Sequence, residues 1–392
     1  MDLKTNQNLM KTTYLDFNEL KIASISDIHL FHKKTTTQYI INNLNKYLVN
    51  DEFLCDINIL FIAGDLFDDG IMFNNEDTSL VTLWVSKLLH ICKRNNVTLR
   101  ILEGTPSHDR NQSKIFLSIN ELLFGKDGVD LKYIKTLSIE YIDKYNINVL
   151  YVPDEWNHDN ADTLIEVKQL LYVNKLEQVD FAIMHGQFEY QMPEIVNHNV
   201  KHDSSEYLKI VKHLIFIGHI HQHSSFDRIY SHGSFDRLRH GEEEPKGFIK
   251  ATILKDCNYK VEFIENKNAK TYKTVVCKNE DIDVTLNKLD KIVKKLNPGS
   301  FIKILTNTNN PIFTSLSICK ERWPDIEWSM DTKDKDTENN KISFKDSNKI
   351  YVPIIINRES IRTLLLNKIK NNNLNEEAME KCISHIADIE RI

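Results

Sequence analysis

The chain has 392 residues, 41% hydrophobic and 27% charged, which is enough for a large core and more than one domain. Its formal charge of −6, from 50 basic and 56 acidic side chains, is not that of a free-standing basic DNA-binding module, so any nucleic-acid contact has to be local, metal-mediated or shared with a partner. No apolar run nears the roughly 18 residues that a membrane span needs, and MDLKTNQNLMKTTYLDF lacks the apolar core of a signal peptide; no membrane association and a cytoplasmic location are expected.

Along the chain, Leu20 to Ser26 alternates like a strand and stops at Asp27, Ile28 and His29. A helical stretch follows with Ile40, Ile41, Leu44, Tyr47 and Leu48 on one face. The apolar strand Ile57 to Ala63 ends at Gly64 and Asp65, Leu80 to Cys92 is helical, and Val97 to Leu102 is a strand ending in GTPSHDRNQ. Short strand-like runs fill Lys132 to Val152, a helix spans about Ala161 to Tyr172, and VDFAIM ends at His185. Leu214 to Ile217 is a buried strand running into GHIHQH, and further strands extend to Ile264.

This alternation predicts a layered α/β domain over 1–265, with polar residues gathered after strand ends, where sheets of this kind hold ligands. A small α+β unit is expected over 266–330, from the amphipathic Ile282 to Leu296, the strand Phe301 to Leu305 and a short helix stopped by Pro324. Residues 331–350 are polar and read as a linker or loop. Two amphipathic helices are expected within 351–392, the second striped by Met379, Cys382, Ile383, Ile386 and Ile389, a face suited to a partner as much as to its own domain.

The chemistry lies in the strand ends: Asp27 and His29, Asp65, His108 and Asp109, His185, then His219 and His221. Each has an ordinary structural explanation by itself, as a helix cap, a turn residue or a buried imidazole. Together they make a mixed carboxylate and imidazole set that suits Mn, Fe or Zn. Nine of the 15 histidines fall between His185 and His240, and the six cysteines are scattered without a CxxC pair, so thiolate ligation is not expected. If strand geometry persists past Gly218, His219 and His221 face the same way. Asp65 is the natural carboxylate for two ions to share.

SDIHL, GDLFD, the HD of GTPSHD, MHG and GHIH, in that order, resemble the five motifs of the calcineurin-like metallophosphoesterase superfamily. YSHGSFDRLRHGEEEPKGF at Tyr230 to Phe248 narrows the resemblance to SbcD-type double-strand-break-repair nucleases, with a phage-type flavour in GTPSHD. The resemblance implies a layered metallophosphoesterase β-sandwich flanked by helices, a capping domain for DNA recognition and a C-terminal helix pair. It implies two divalent ions, most naturally Mn²⁺, with Mg²⁺, Fe²⁺ or Zn²⁺ also fitting.

By the same resemblance, Asp27, His29, Asp65 and His221 surround one ion and Asp65, His185 and His219 the other. His108 would act as the acid beside the phosphate, oriented by Asp109. The family pattern GNHD places an Asn ligand on the second ion where this chain has Ser107, whose shorter hydroxyl would hold the ion loosely or through a water. Arg110, Lys114, Arg237 and Arg239 are expected either to contact DNA phosphates or to be solvated loop charges.

The implied activity is metal-dependent exo- and endonucleolytic cleavage of DNA, with an SbcC-type coiled-coil ATPase as partner and a homodimer within a heterotetramer. A phosphoesterase acting on small substrates and a catalytically weak scaffold for the ATPase are the alternatives.

Overall fold

The computed structural model describes residues 19–71, 76–193, 200–256, 258–278 and 281–332. The helices expected within 351–392, and all but the first two residues of the expected linker, lie outside these. β1 (Glu19–Ile25) leads to α1 (Thr37–Tyr47) and the single turn α2 (Asp51–Leu54). β2 (Ile59–Ala63) leads to α3 (Glu76–Arg94), and β3 (Thr98–Leu102) to α4 (Pro106–Asp109) and α5 (Lys114–Phe124). Then come β4 (Leu131–Ile134), β5 (Ser138–Ile142), β6 (Ile147–Val152), α6 (Asn160–Val173), β7 (Val179–Gly186), α7 (Ser204–Ile210) and β8 (Val211–His219). The main body closes with β9 (Ser224–Phe226), β10 (Ile229–Ser231), β11 (Gly247–Leu254) and β12 (Tyr259–Glu265).

These strands form two six-stranded sheets, ordered β12-β11-β1-β2-β3-β4 and β5-β6-β7-β8-β10-β9. The expected layered α/β architecture is present, and strand parity explains it. Ile59, Phe61 and Ala63 of β2 join Phe181 and Ile183 of β7 and Leu214 and Phe216 of β8 in the layer between the sheets. Their neighbours Leu60 and Ile62 point outward onto α1, α3 and α5, while Ala182, Met184, Ile215 and Ile217 point onto α6 and α7. Strands covered on both faces have to be apolar throughout, which is why LFIA and FAIM show no polar alternation.

The rest of the described chain makes a smaller layer. β13 (Tyr272–Val276), α8 (Ile282–Val293), β14 (Phe301–Thr306), α9 (Leu316–Arg322) and β15 (Glu327–Thr332) build a parallel sheet ordered β13-β14-β15 over its own core, including Leu289, Ile304, Cys319 and Trp328. It joins the main body through Thr35 Oγ1 and Tyr272 OH (2.8 Å) and through Lys270, which donates to Lys34 O (3.0 Å) and Glu327 Oε1 (2.9 Å). Among the described residues, no helix is long and apolar enough to cross a membrane.

His232, after β10, locks the two sheets together. Its Nδ1–H donates to Ile217 O (2.8 Å), leaving Nε2 to accept from Ser24 Oγ (2.7 Å), so the ring is fully buried, neutral and satisfied. Burial lowers its pKa from 6.5 to about 4. A depressed folded pKa contributes stability that is present above 6.5 and lost as pH falls towards 4, on the order of 3 kcal/mol for a shift of this size. We expect the stability advantage of the native chain over His232→Gln, read from urea midpoints, to shrink by that order between pH 7 and pH 4; a constant advantage would contradict a neutral buried ring.

Candidate metal centre

The two sheets converge at the ends of β2, β7 and β8, and glycines make room there. A Cβ on Gly218 would lie 2.6 Å from Ser26 Cβ and 2.7 Å from Ala63 O, and one on Gly64 would lie 2.3 Å from His185 Nδ1. Beyond the pinch the backbone turns sharply. Asp27 (φ 50°), His29 (φ 53°), Asp65 (φ 49°) and His219 (φ 95°) all occupy the left-handed region, a conformation L-residues adopt at a cost and which the surrounding packing has to hold.

Two clusters result, each drawing on both sheets. In the first, Asp27 and His29 from the β1 end meet His221 from beyond β8, with His29 Nε2 3.2 Å from His221 Nε2 and His221 Nε2 3.8 Å from Asp27 Oδ1. In the second, Asp65 from the β2 end meets His185 and His219, with His185 Nε2 3.3 Å from Asp65 Oδ1. The other oxygen of Asp65 lies 3.9 Å from His29 Nε2, so this carboxylate stands between the clusters.

Three of the four imidazoles are held from behind. His29 Nδ1 is 3.1 Å from Asp68 Oδ1, His221 Nδ1 is 2.9 Å from Glu242 Oε1, and His185 Nδ1 is 2.7 Å from Ala63 O. Such partners place the proton on Nδ1 and leave Nε2 as a lone pair facing the cluster. Burial opposes charging of His29, yet the bond to Asp68 and the charges of Asp65 and Asp27 raise its pKa. Burial likewise works against ionisation of Asp65, but His185 and His29 and the Thr105 N–H hold it well below the usual carboxylate range.

The donor set fits divalent cations. His29 Nε2 and His221 Nε2 lie 3.2 Å apart with both Nδ1 atoms engaged by carboxylates. Two nitrogens on one ion, at bonds of roughly 2.1 Å, are separated by about 3.0 to 3.4 Å. His185 Nε2 is fully buried and has no hydrogen-bond partner, although it points at Asp65. Oxygen and imidazole donors without thiolates suit Mn²⁺, Fe²⁺ or Zn²⁺.

The structure thus brings together Asp27, His29, Asp65, His185, His219 and His221, with the two histidines of GHIH in different clusters. The positive φ at His219 ends the strand, so His219 joins one cluster and His221 the other, and they do not present one shared face. His223 stacks on Phe263 at 4.1 Å outside the clusters. His108 is half-exposed beside the first cluster, its ring 5.1 Å from that of His29 and its Nδ1 3.3 Å from Asp68 O, and it lines a cleft of about 890 Å³ that opens over both clusters.

Asp109 does not orient His108. Successive side chains of α4 diverge, and the buried Asp109 carboxylate instead accepts from Asp65 N (3.0 Å), Phe67 N (3.0 Å) and Gly104 N (2.7 Å), tying the β2 and β3 loops together. Burial, with Asp65 adding like charge, raises its pKa to about 7. Ser107 is exposed, and its carbonyl accepts from Arg110 Nε. The hydroxyl that reaches the second cluster is that of Thr105, two residues earlier, because the turn into α4 places Pro106 and Ser107 on the outside.

Among the basic residues, Arg237 is committed to the carbonyls of Ala269, Glu243 and Glu244 rather than left for phosphate. Arg239 lines the cleft, exposed, beside Glu242 at 3.2 Å; Arg110 is exposed and pairs with Asp69, and Lys114 is exposed at the start of α5. Asp68, Glu242, Thr105 and Asp154 are functional candidates that pattern reading passed over. Asp154 follows β6 in VPDE, and the signal that marks it is the one used elsewhere, a carboxylate just past an apolar strand.

No protein-family model matches the sequence, and no curated protein matches it. Solved structures do match: TT1561 of Thermus thermophilus is 8% identical over 62% of this chain and 99% of its own, with a TM-score of 0.35. A second structure is 13% identical over 63% of this chain and 99% of its own, with a TM-score of 0.33. Likenesses of this strength assign neither an activity nor a substrate. The class rests on the molecule itself: a two-sheet α/β fold with paired Asp/His clusters at its strand ends, compatible with a metallophosphoesterase.

Glu242 offers a test of this centre that replaces no direct ligand. Glu242→Gln should weaken binding at the His221 cluster roughly tenfold or more, since loss of such a backing carboxylate typically has that effect. Titration calorimetry with Mn²⁺ reads it, and an unchanged affinity would count against His221 as a ligand.

Proposed function

We propose that the chain is a metal-dependent nuclease of the SbcD type, hydrolysing DNA phosphodiesters at the paired clusters. The observation that carries this reading is Asp65, a single buried carboxylate set between two imidazole-rich clusters on the floor of an open cleft. Two Mn²⁺ ions held there would lower the pKa of a water and neutralise charge on a phosphoryl group.

The residues of the chain supply the rest. Asp65 fixes the relation between the two clusters, and Asp68, Glu242 and Ala63 O hold the imidazoles in one tautomer. His108 faces the cleft with Nδ1 directed at Asp68 O, and in its imidazolium form Nε2–H would be free to protonate the leaving oxygen. Arg239, Arg110 and Lys114 are the exposed cations available to a DNA backbone. The acidic balance of the chain accords with a grip on DNA shared with a partner, here an SbcC-type coiled-coil ATPase.

The cleft, whose Glu242 and Glu244 are paired with Arg239 and Lys246, also has room for a small phosphodiester, so a phosphodiesterase acting on small substrates is the second reading. Incubation with Mn²⁺ and either linear duplex, plasmid or bis-p-nitrophenyl phosphate, with and without the ATPase, separates the readings. Hydrolysis of the small diester with no cleavage of any DNA would overturn the nuclease. His108→Ala should lower cleavage by about two orders of magnitude or more with metal content intact. Asp65→Ala should lose metal from both clusters; equal metal loss in the two variants would contradict the assigned roles.

A further inference from the structure

The second cluster contains more donors than Asp65, His185 and His219. Asp154, at the end of β6, is largely buried, and its Oδ2 lies 3.3 Å from His219 Nδ1 and 3.0 Å from Thr105 Oγ1. Thr105 Oγ1 also lies 3.3 Å from Asp65 Oδ2 and 3.4 Å from His219 Nδ1. Two carboxylates and an imidazole nitrogen therefore surround one hydroxyl, which has a single proton to give. Given to Asp154, the nearest, that proton leaves the Asp65 carboxylate facing a lone pair. His185 Nε2, fully buried without a hydrogen bond, points into the same space. A cation in this space would accept from both carboxylates and both imidazoles at once.

We propose that Asp154 is a direct ligand of the ion held by Asp65, His185 and His219, which gives this site two carboxylates and two imidazoles with the Thr105 hydroxyl beside them. The gap of 3.3 Å between Asp154 Oδ2 and His219 Nδ1 is that of neighbouring ligands on one ion, about 3.0 to 3.4 Å for bonds of roughly 2.1 Å. A second carboxylate makes the site harder and shifts its preference towards Mn²⁺ and Mg²⁺. The competing role for Asp154 is that of a positioning residue, holding the His219 ring from outside. This inference rests on the metal-centre reading of the proposed function.

Two variants separate these roles. Asp154→Asn, with folding checked by circular dichroism, should weaken the second Mn²⁺ in titration calorimetry at least tenfold and leave the first unchanged. Asp154→Cys, loaded with Co²⁺, should show a thiolate-to-metal charge-transfer band, which arises only if the side chain at 154 touches the ion. Two Mn²⁺ at native affinity in Asp154→Asn, together with Co²⁺ bound but no band in Asp154→Cys, would overturn direct ligation and leave the nuclease reading standing. A native chain that binds no Mn²⁺ would remove both.

Discussion

The site depends on how closely two sheets approach at Gly64 and Gly218. Elsewhere packed sheets stand about 10 Å apart, filled by interdigitated side chains. Here the space for even one methyl group is taken by His185 on one side and by Ser26 and Ala63 on the other. The approach lets donors rooted in different sheets meet. Asp27 and His29 reach His221, Asp65 reaches His185, and neither cluster could be assembled from one sheet alone.

Crowding these groups has an electrostatic cost that the fold meets locally. Asp65 loses solvation but gains two imidazoles and the Thr105 N–H. Asp109, next to it, adds like charge, and its position is held by three backbone N–H bonds rather than by a cation. The left-handed backbone at four of the six cluster residues belongs to the same account, since strain persists where the surroundings over-determine it. Donors fixed by neighbouring bonds in this way lose little freedom when a ligand arrives.

Much of this was legible in the residue pattern, and the parts that were not share a cause. Buried strands announce themselves as apolar runs, and a carboxylate or imidazole just past such a run marks a site, so Asp27, Asp65, His185 and His219 stood out. What periodicity cannot convey is a change of direction. The pairing of His219 with His221 on one face assumed that strand geometry outlasts Gly218, and φ at His219 ends it. Ser107 seemed the residue aligned with the cluster because it stands where the resembling GNHD pattern has its Asn; the turn at Pro106 brings Thr105 inward. Asp154 went unread because the short strands before it gave a weak signal, although VPDE has the same form as the other strand ends. Arg237 looked available because a sequence does not reveal which carbonyls a guanidinium will meet.

The interior between the sheets is bulky at its centre, where Phe61, Tyr151, Phe181 and Phe216 are packed, and bare at the edge where Gly64 and Gly218 meet their neighbours. The pair of sheets is in effect a calliper, with aromatic volume as its pivot and the strand ends as its jaws. The separation of the two clusters is then a dimension set by core packing, by side chains that contribute no donor atom. A core residue exchanged for one of different volume would alter the gauge of the site while every donor remained in the sequence.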